Sequence, residues 1–320
     1  MSGAPRRATR TRDRQRCVLG IDVGGTSIRA GLFVPRSGSI RHVRAIRTDA
    51  SSGGRHALAR AAAVAREVVD AGSKLGLSVH KVGIGVPELV GSGGEIESRA
   101  VLPWRSTRVR KAFAAYGDVI IASDVRAAAL AEARLGAARG NPTFLYVGVG
   151  TGISSTLFID GRPYLGAHGH AIAFASGPTC AAGARGGKTV FAPLESCASG
   201  PALVRRAKAL GYHAEDAAEV CRAARERPGI ARGVVDAAAT ELAAHVAILV
   251  NALDPSLVVL GGGLGAAPGR YWNSFRAALP RFAWGRYARR TRVRRARLGA
   301  RGGLIGAALS AVEAEEERSR

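Results

Sequence analysis

Apolar positions along the chain alternate between short β-branched runs broken by glycine and longer, alanine-rich stretches with helical spacing. CVLGIDV (17–23) has the pattern of a buried strand, SIRAGLFV (27–34) alternates as a second, and IRHVRAIRT (40–48) is a third, more exposed one. With PRSGS as the turn between the last two, the pattern predicts a meander. RHALARAAAVAREVVDAGSKLG (55–76) carries apolar residues at helical period and stops at glycine. HKVGIGVPELV (80–90) predicts a strand closed by a Gly-Val-Pro turn, and DVIIAS (118–123) predicts another. DVRAAALAEARLG (124–136) then predicts a helix with an aspartate at its mouth and a glycine stop.

The first pattern returns in TFLYVGVGTGISSTLFIDGRPYL (143–165), which reads as strand, Gly-Thr loop, strand, Asp-Gly turn, strand. A nucleotide-binding βα turn opens a helix after its glycines, because the helix N-terminus helps hold phosphate. GIDVGGTSIRAGLF (20–33) resumes as a strand instead. Two similar halves around one cleft account for this, each hairpin aiming its loop amides at a shared phosphate chain. Two unrelated Gly-rich hairpins would give the same pattern. Farther on, 198–211 and 233–254 read as helices. PSLVVLGGGLG (255–265) reads as a short buried strand whose Gly261, Gly262 and Gly263 let a flat ligand approach the backbone. A closing helix begins at GGLIGAAL and has an acidic end.

With 320 residues and 47% apolar character, the chain can bury one large core or two ordinary ones, and an α/β protein of two domains is expected. No apolar stretch follows the basic start and no run reaches the length of a bilayer span, so a cytoplasmic protein without a membrane partner is expected. Cys17, Cys180, Cys197 and Cys221 show no CxxC spacing, which fits reduced, mostly buried thiols. The formal net charge of +23 is almost all arginine. Its densest cluster, 281–303, reads as a grip for polyanions or as a solvated surface or partner contact. No reader motif accompanies the charge, so no specific nucleic-acid partner is expected.

LGIDVGGTSIRAGL, SDVRAAALAEARLG, VGVGTGISSTLFIDG, LESCASGPAL, NALDPSLVVLGGGLG and GGLIGAAL occur in the order seen in the ROK family, and the chain resembles that family over roughly residues 18–310. These are sugar kinases and related repressors of the hexokinase and actin-like ATPase superfamily. The resemblance implies two RNase H-like domains, residues 17–122 with 304–320 and residues 123–303, behind a flexible basic arm at 1–16. It implies ATP and Mg²⁺ as cofactors, a small polyol as acceptor and a homodimer. Asp22 resembles the carboxylate that holds Mg²⁺, while Gly24, Gly25 and Thr26 would present amides and a hydroxyl to phosphate. Thr151 and Gly152 look like the second phosphate loop, and Gly261, Gly262 and Gly263 like the adenosine floor. Asp124 matches the general base, kept ionised by its helix N-terminus; a simple N-cap is the other reading.

Departures from the family bear on the acceptor. The family's Asn-Asp pair is Ser123-Asp124, Ala173 and Ser176 replace the Glu and His of the GExGH stretch, and Val101 replaces an asparagine. Losing these hydroxyl-reading groups weakens a hexose site. Glu195 is retained to read hydroxyls. Glu88 is expected either to face an amine or extra hydroxyl or to be a solvated loop carboxylate. The family's zinc cysteines are absent, so no structural zinc is expected, and His168 and His170 read as packing or substrate contacts rather than ligands. The expectation is a kinase for a sugar-like ring without an ordinary anomeric centre, such as a C7-cyclitol of aminocyclitol antibiotic biosynthesis. A hexokinase, glucokinase or N-acyl-hexosamine kinase and a non-catalytic sugar-binding regulator are the alternatives.

Overall fold

A computed structural model describes residues 15–185 and 188–318. Residues 1–14 of the expected basic arm, and the Cys180 side chain, lie outside what it describes. Gln15–Val23 (β1), Ser27–Val34 (β2) and Ser39–Arg47 (β3) form the meander, each antiparallel to the next. Leu77–Val86 (β4) and Asp118–Ser123 (β5) continue the sheet in parallel, giving the order β3-β2-β1-β4-β5. Parallel neighbours need crossovers, supplied by Gly54–Ser73 (α1) and Ser106–Phe113 (α2). Helix α1 buries Ala57, Ala61, Val64, Ala65 and Val68 as one stripe. Helix α2 was not expected, since its short, arginine-rich sequence anchors itself through Val109 and Phe113 alone among large apolar residues.

The chain then enters Asp124–Leu135 (α3) and builds a second sheet from Phe144–Val149 (β6), Ile153–Ile159 (β7) and Arg162–Pro163 (β8). Pro178–Arg185 (β9) and Lys188–Pro193 (β10) pair separately as a hairpin. Glu195–Ala198 (α4), Gly200–Ala209 (α5), Ala217–Glu226 (α6) and Ile230–Leu253 (α7) lead to Leu257–Gly261 (β11). Gly262–Gly265 (α8), Arg270–Phe282 (α9), Arg292–Arg295 (β12) and Gly302–Arg318 (α10) complete it. The order β12-β11-β6-β7-β8 repeats the first sheet: three antiparallel strands, then two parallel. The α/β expectation, with two halves built alike, is what the fold shows.

Part of the arginine-rich segment 281–303 therefore serves as an edge strand rather than as plain surface. Val293 packs toward the core, and Arg292 and Arg294 donate to Asn141 Oδ1 and the Ala137 carbonyl at 2.7 and 2.9 Å. Helix α7 has 24 residues with a mean hydropathy of 1.6 in its most apolar window, long and apolar enough by composition to cross a bilayer, contrary to expectation. One of its sides, including Val235, Leu242 and Val246, lines the core of the second half.

Helices α3 and α10 pack against each other between the sheets, α10 on β1, β4 and β5, α3 on β7, β6 and β5. The core they share contains Val18, Phe33, Leu130, Phe144, Phe158, Ile305 and Leu309. Glycine permits this approach: a Cβ at Gly83 would fall 1.8 Å from the Ala307 carbonyl, and one at Gly306 1.6 Å from that of Ala127. Arg134 and Glu313 tie the two helices at 2.7 Å.

Candidate active site

Asp22 lies near the end of β1 and Asp124 follows β5 directly. Because β4 pairs Gly85 with Asp22 and Val86 with Ser123, the register brings both aspartates to the same end of the sheet. Burial pushes the Asp22 carboxyl up to about 6, against the pull of the Arg29 guanidinium 3.6 Å away. Burial also pushes Asp124 up to about 7, with the negative charge of Asp22 adding to it; the Val125 N–H, 2.6 Å from Oδ1, opposes the shift, and Glu88 adds a smaller push upward. A helix N-terminus was expected to keep Asp124 ionised. Desolvation and like charge outweigh the Val125 N–H bond, the one lowering influence on it.

Each hairpin loop closes on itself and leaves amides over. In the first, the Gly24 N–H donates to the Ser27 carbonyl at 2.9 Å, and the Thr48 hydroxyl donates to the Gly24 carbonyl at 2.6 Å. In the second, the Gly150 N–H donates to the Gly152 carbonyl at 2.9 Å, and the Gly200 N–H to the Gly150 carbonyl at 2.8 Å. The amides of Gly25, Thr26, Thr151 and Gly152 donate to no group among the described residues. Loops of uncommitted N–H groups suit an anion. A Cβ at Gly152 would fall 2.6 Å from Glu195 Oε2 and push that carboxylate off the loop.

The remaining expected site residues divide. Glu195 accepts from the Ile153 N–H at 2.9 Å and so braces the second loop. Glu88 is 3% exposed, and its carboxylate accepts from the Ser98 hydroxyl and from the backbone N–H groups of Ala100, Val101 and Leu102 at 2.9, 2.8 and 2.6 Å. It is neither solvated nor aimed at an acceptor, because its lone pairs are taken up in holding the 98–102 loop. That loop places Val101 Cγ1 3.2 Å from where a Cβ of Gly25 would stand. Ser123 is buried at the mouth of α3, and its side chain makes no capping bond. His168 is exposed, as are Ala173 and Ser176. Of the three glycines at the junction of β11 and α8, only Gly263 faces open space: a Cβ at Gly261 would collide with the Tyr146 hydroxyl and one at Gly262 with the Val149 carbonyl. The first two serve internal packing as well as any ligand.

The ROK family model matches residues 18–314. The chain belongs to the ROK family. Among its relatives, the bifunctional enzyme NanE/NanK of Brucella melitensis is 33% identical over 291 residues, 91% of this chain and 53% of that protein. The chain thus spans about half the length of that relative. The kanosamine kinase of Amycolatopsis mediterranei is 32% identical over 259 residues, covering 78% of this chain and 80% of that one. A ROK family glucokinase from Streptomyces griseus, solved in complex with glucose and AMPPNP, superposes with a TM-score of 0.77 at 26% identity, covering 93% of this chain and 99% of the other.

Two carboxylates escaped the sequence reading. Glu132 of α3 is buried and accepts from the N–H groups of Ala137, Arg297 and Leu298 at 2.6, 3.1 and 2.8 Å, anchoring the approach to α10. Glu97 meets His170 Nε2 at 2.5 Å. The partners of Glu132 lie up to 166 residues away in the chain, so no local spacing announced them.

Proposed function

We propose that this ROK protein transfers the γ-phosphoryl group of ATP to a primary hydroxyl of a sugar-like polyol, with Asp124 taking the hydroxyl proton. The meeting of two half-buried carboxylates, Asp22 and Asp124, at one sheet end supports this most directly, and two loops of uncommitted amides offer anion sites for the phosphates. The donor set suits Mg²⁺-ATP: Asp22 is a hard oxygen ligand whose raised proton affinity marks a negative charge that a cation would relieve. Asp22 would hold Mg²⁺ there, and the ion would supply charge neutralisation at the transferring phosphates. Gly25 and Thr26 on one side and Thr151 and Gly152 on the other would hold the triphosphate, with Gly263 offering the open floor for the nucleoside. A base acts best when its pKa lies near the working pH, and Asp124 at about 7 meets that condition. Relief of the Asp22 charge lowers the Asp124 pKa and so favours the basic form during turnover.

For the acceptor, we favour a ring without an ordinary anomeric centre, of the C7-cyclitol kind. Val101, Ala173 and Ser176 offer no hydrogen-bonding group of the family's kind, and Glu88 is committed to its own loop. An amino-hexose is the second reading, favoured by the likeness to a kanosamine kinase. ATP consumption with glucose, kanosamine, N-acetylmannosamine and valienone separates them, and strong glucose turnover defeats the cyclitol reading. A homodimer in the cytoplasm belongs to the same proposal.

A further inference from the structure

Arg126, two residues after Asp124, is the one arginine in the alanine-rich first half of α3. A cation in the first turn of a helix opposes the macrodipole. It is also 8% exposed, its Nε has no acceptor, and no carboxylate stands within ion-pair distance of it among the described residues. Burial lowers its pKa from the usual arginine value. Keeping such a charge buried is costly unless it is well bonded. Its Nη2 donates to two carbonyls, that of Val90 at 2.7 Å and that of Gly169.

Those carbonyls belong to opposite halves. Val90 lies in a small hairpin beyond β4, closed by the Val90–Ile96 bridge and by the Glu97 N–H to the Leu89 carbonyl at 2.9 Å. Gly169 lies in the loop after β8, which is tied to β7 by the Ser155 N–H to the Ile172 carbonyl at 3.1 Å. The two segments touch backbone to backbone: at Gly169 (φ +81°) a Cβ would stand 2.7 Å from Gly91 Cα. Glu97 of the hairpin and His170 of the loop pair beside this contact. The hairpin begins at Glu88, which holds Val101, and the loop runs on to Ala173 and Ser176. Both segments therefore flank the positions, Val101, Ala173 and Ser176, at which the proposed function places the acceptor.

We propose that Arg126 is a positioning residue, a latch that joins hairpin 89–97 to loop 166–172 and fixes the two walls of the acceptor pocket relative to each other. The pocket wall rests on the kinase reading; the latch itself does not. Hydrogen exchange of the full chain without ligand tests the latch. In Arg126→Met, amides of 89–97 and 166–172 exchange together about tenfold faster, while those of β1 and β6 stay within about twofold of the parent. Unchanged exchange in the two segments overturns the proposal. Should Arg126→Met fail to fold, Arg126→Gln, shorter and uncharged, is expected to speed the same two segments, and no change there overturns it equally. In kinetics, Arg126→Met raises the KM of whichever tested acceptor the parent phosphorylates about tenfold and leaves that of ATP within about twofold. An unchanged acceptor KM beside loosened walls refutes the positioning role. A parent inert on every acceptor refutes the kinase reading while exchange still decides the latch.

Discussion

Replacing Asp124 with asparagine should remove phosphoryl transfer and at the same time make the ligand-free protein more stable at alkaline pH. The carboxyl rises from 3.8 to about 7 on folding, first because it is buried and then because Asp22 is close. An acid whose pKa is raised in the folded state binds its proton more tightly there than in the unfolded chain. It lowers stability as pH climbs from about 4 to about 7, and the full cost is reached above that window. At roughly 1.4 kcal/mol per unit, ionised Asp124 costs the fold about 4 kcal/mol at pH 8 and under about 2 kcal/mol at pH 5. Asparagine carries no charge, yet its carbonyl oxygen can still accept from the Val125 N–H. Urea unfolding of both proteins at pH 5 and pH 8, without nucleotide, should therefore show the variant's advantage growing by about 2.5 kcal/mol between the two pH values. Turnover should fall by about 10² to 10⁴, the usual worth of a general base. A variant with the same advantage at both pH values, or with none, would refute the account of a carboxylate held at a cost to the fold.

Three further outcomes are expected. The kcat/KM of the parent should drop about tenfold per pH unit below about 7, and Asp22→Asn should move that limb to lower pH in whatever activity remains, because the Asp22 charge raises Asp124; a pH–rate profile checks both. Glu88→Ala strands the N–H groups of Ala100, Val101 and Leu102 and should cost about 3 kcal/mol or more in denaturant unfolding. Gly306→Ala drives a methyl into the Ala127 carbonyl and should lose about 3 kcal/mol, seen as a lowered melting temperature.

Much of the fold was legible because its strands are uninterrupted β-branched runs and its long helices carry an apolar stripe. DVIIAS forms β5 with the expected bounds, and α3 begins at Asp124 as its N-terminal signal implied. Helix α9 and strand β12 were hidden by arginine: RVRR has a single apolar residue and becomes a strand only because β11 offers a parallel edge. The two glycine loops were legible as hairpin turns because the bonds that close them are local. Glu88 was misjudged because its partners lie 10 to 14 residues ahead in a loop with no periodicity of its own. Gly261 and Gly262 have a packing reason that no local pattern shows, since a Cβ at either would meet the Tyr146 ring or the Val149 backbone.

The first sheet is covered by a helix that comes from the far end of the chain. Gly20 and Gly83 are shaped to receive Leu304 and Ala307, and Gly303 lies against the carboxyl group of Asp22. During synthesis this lobe stays incomplete, with one apolar side bare, until the whole second lobe has left the ribosome. The two lobes thus cannot mature one after the other as independent units, and a cut before residue 302 would spoil the half of the molecule that was made first.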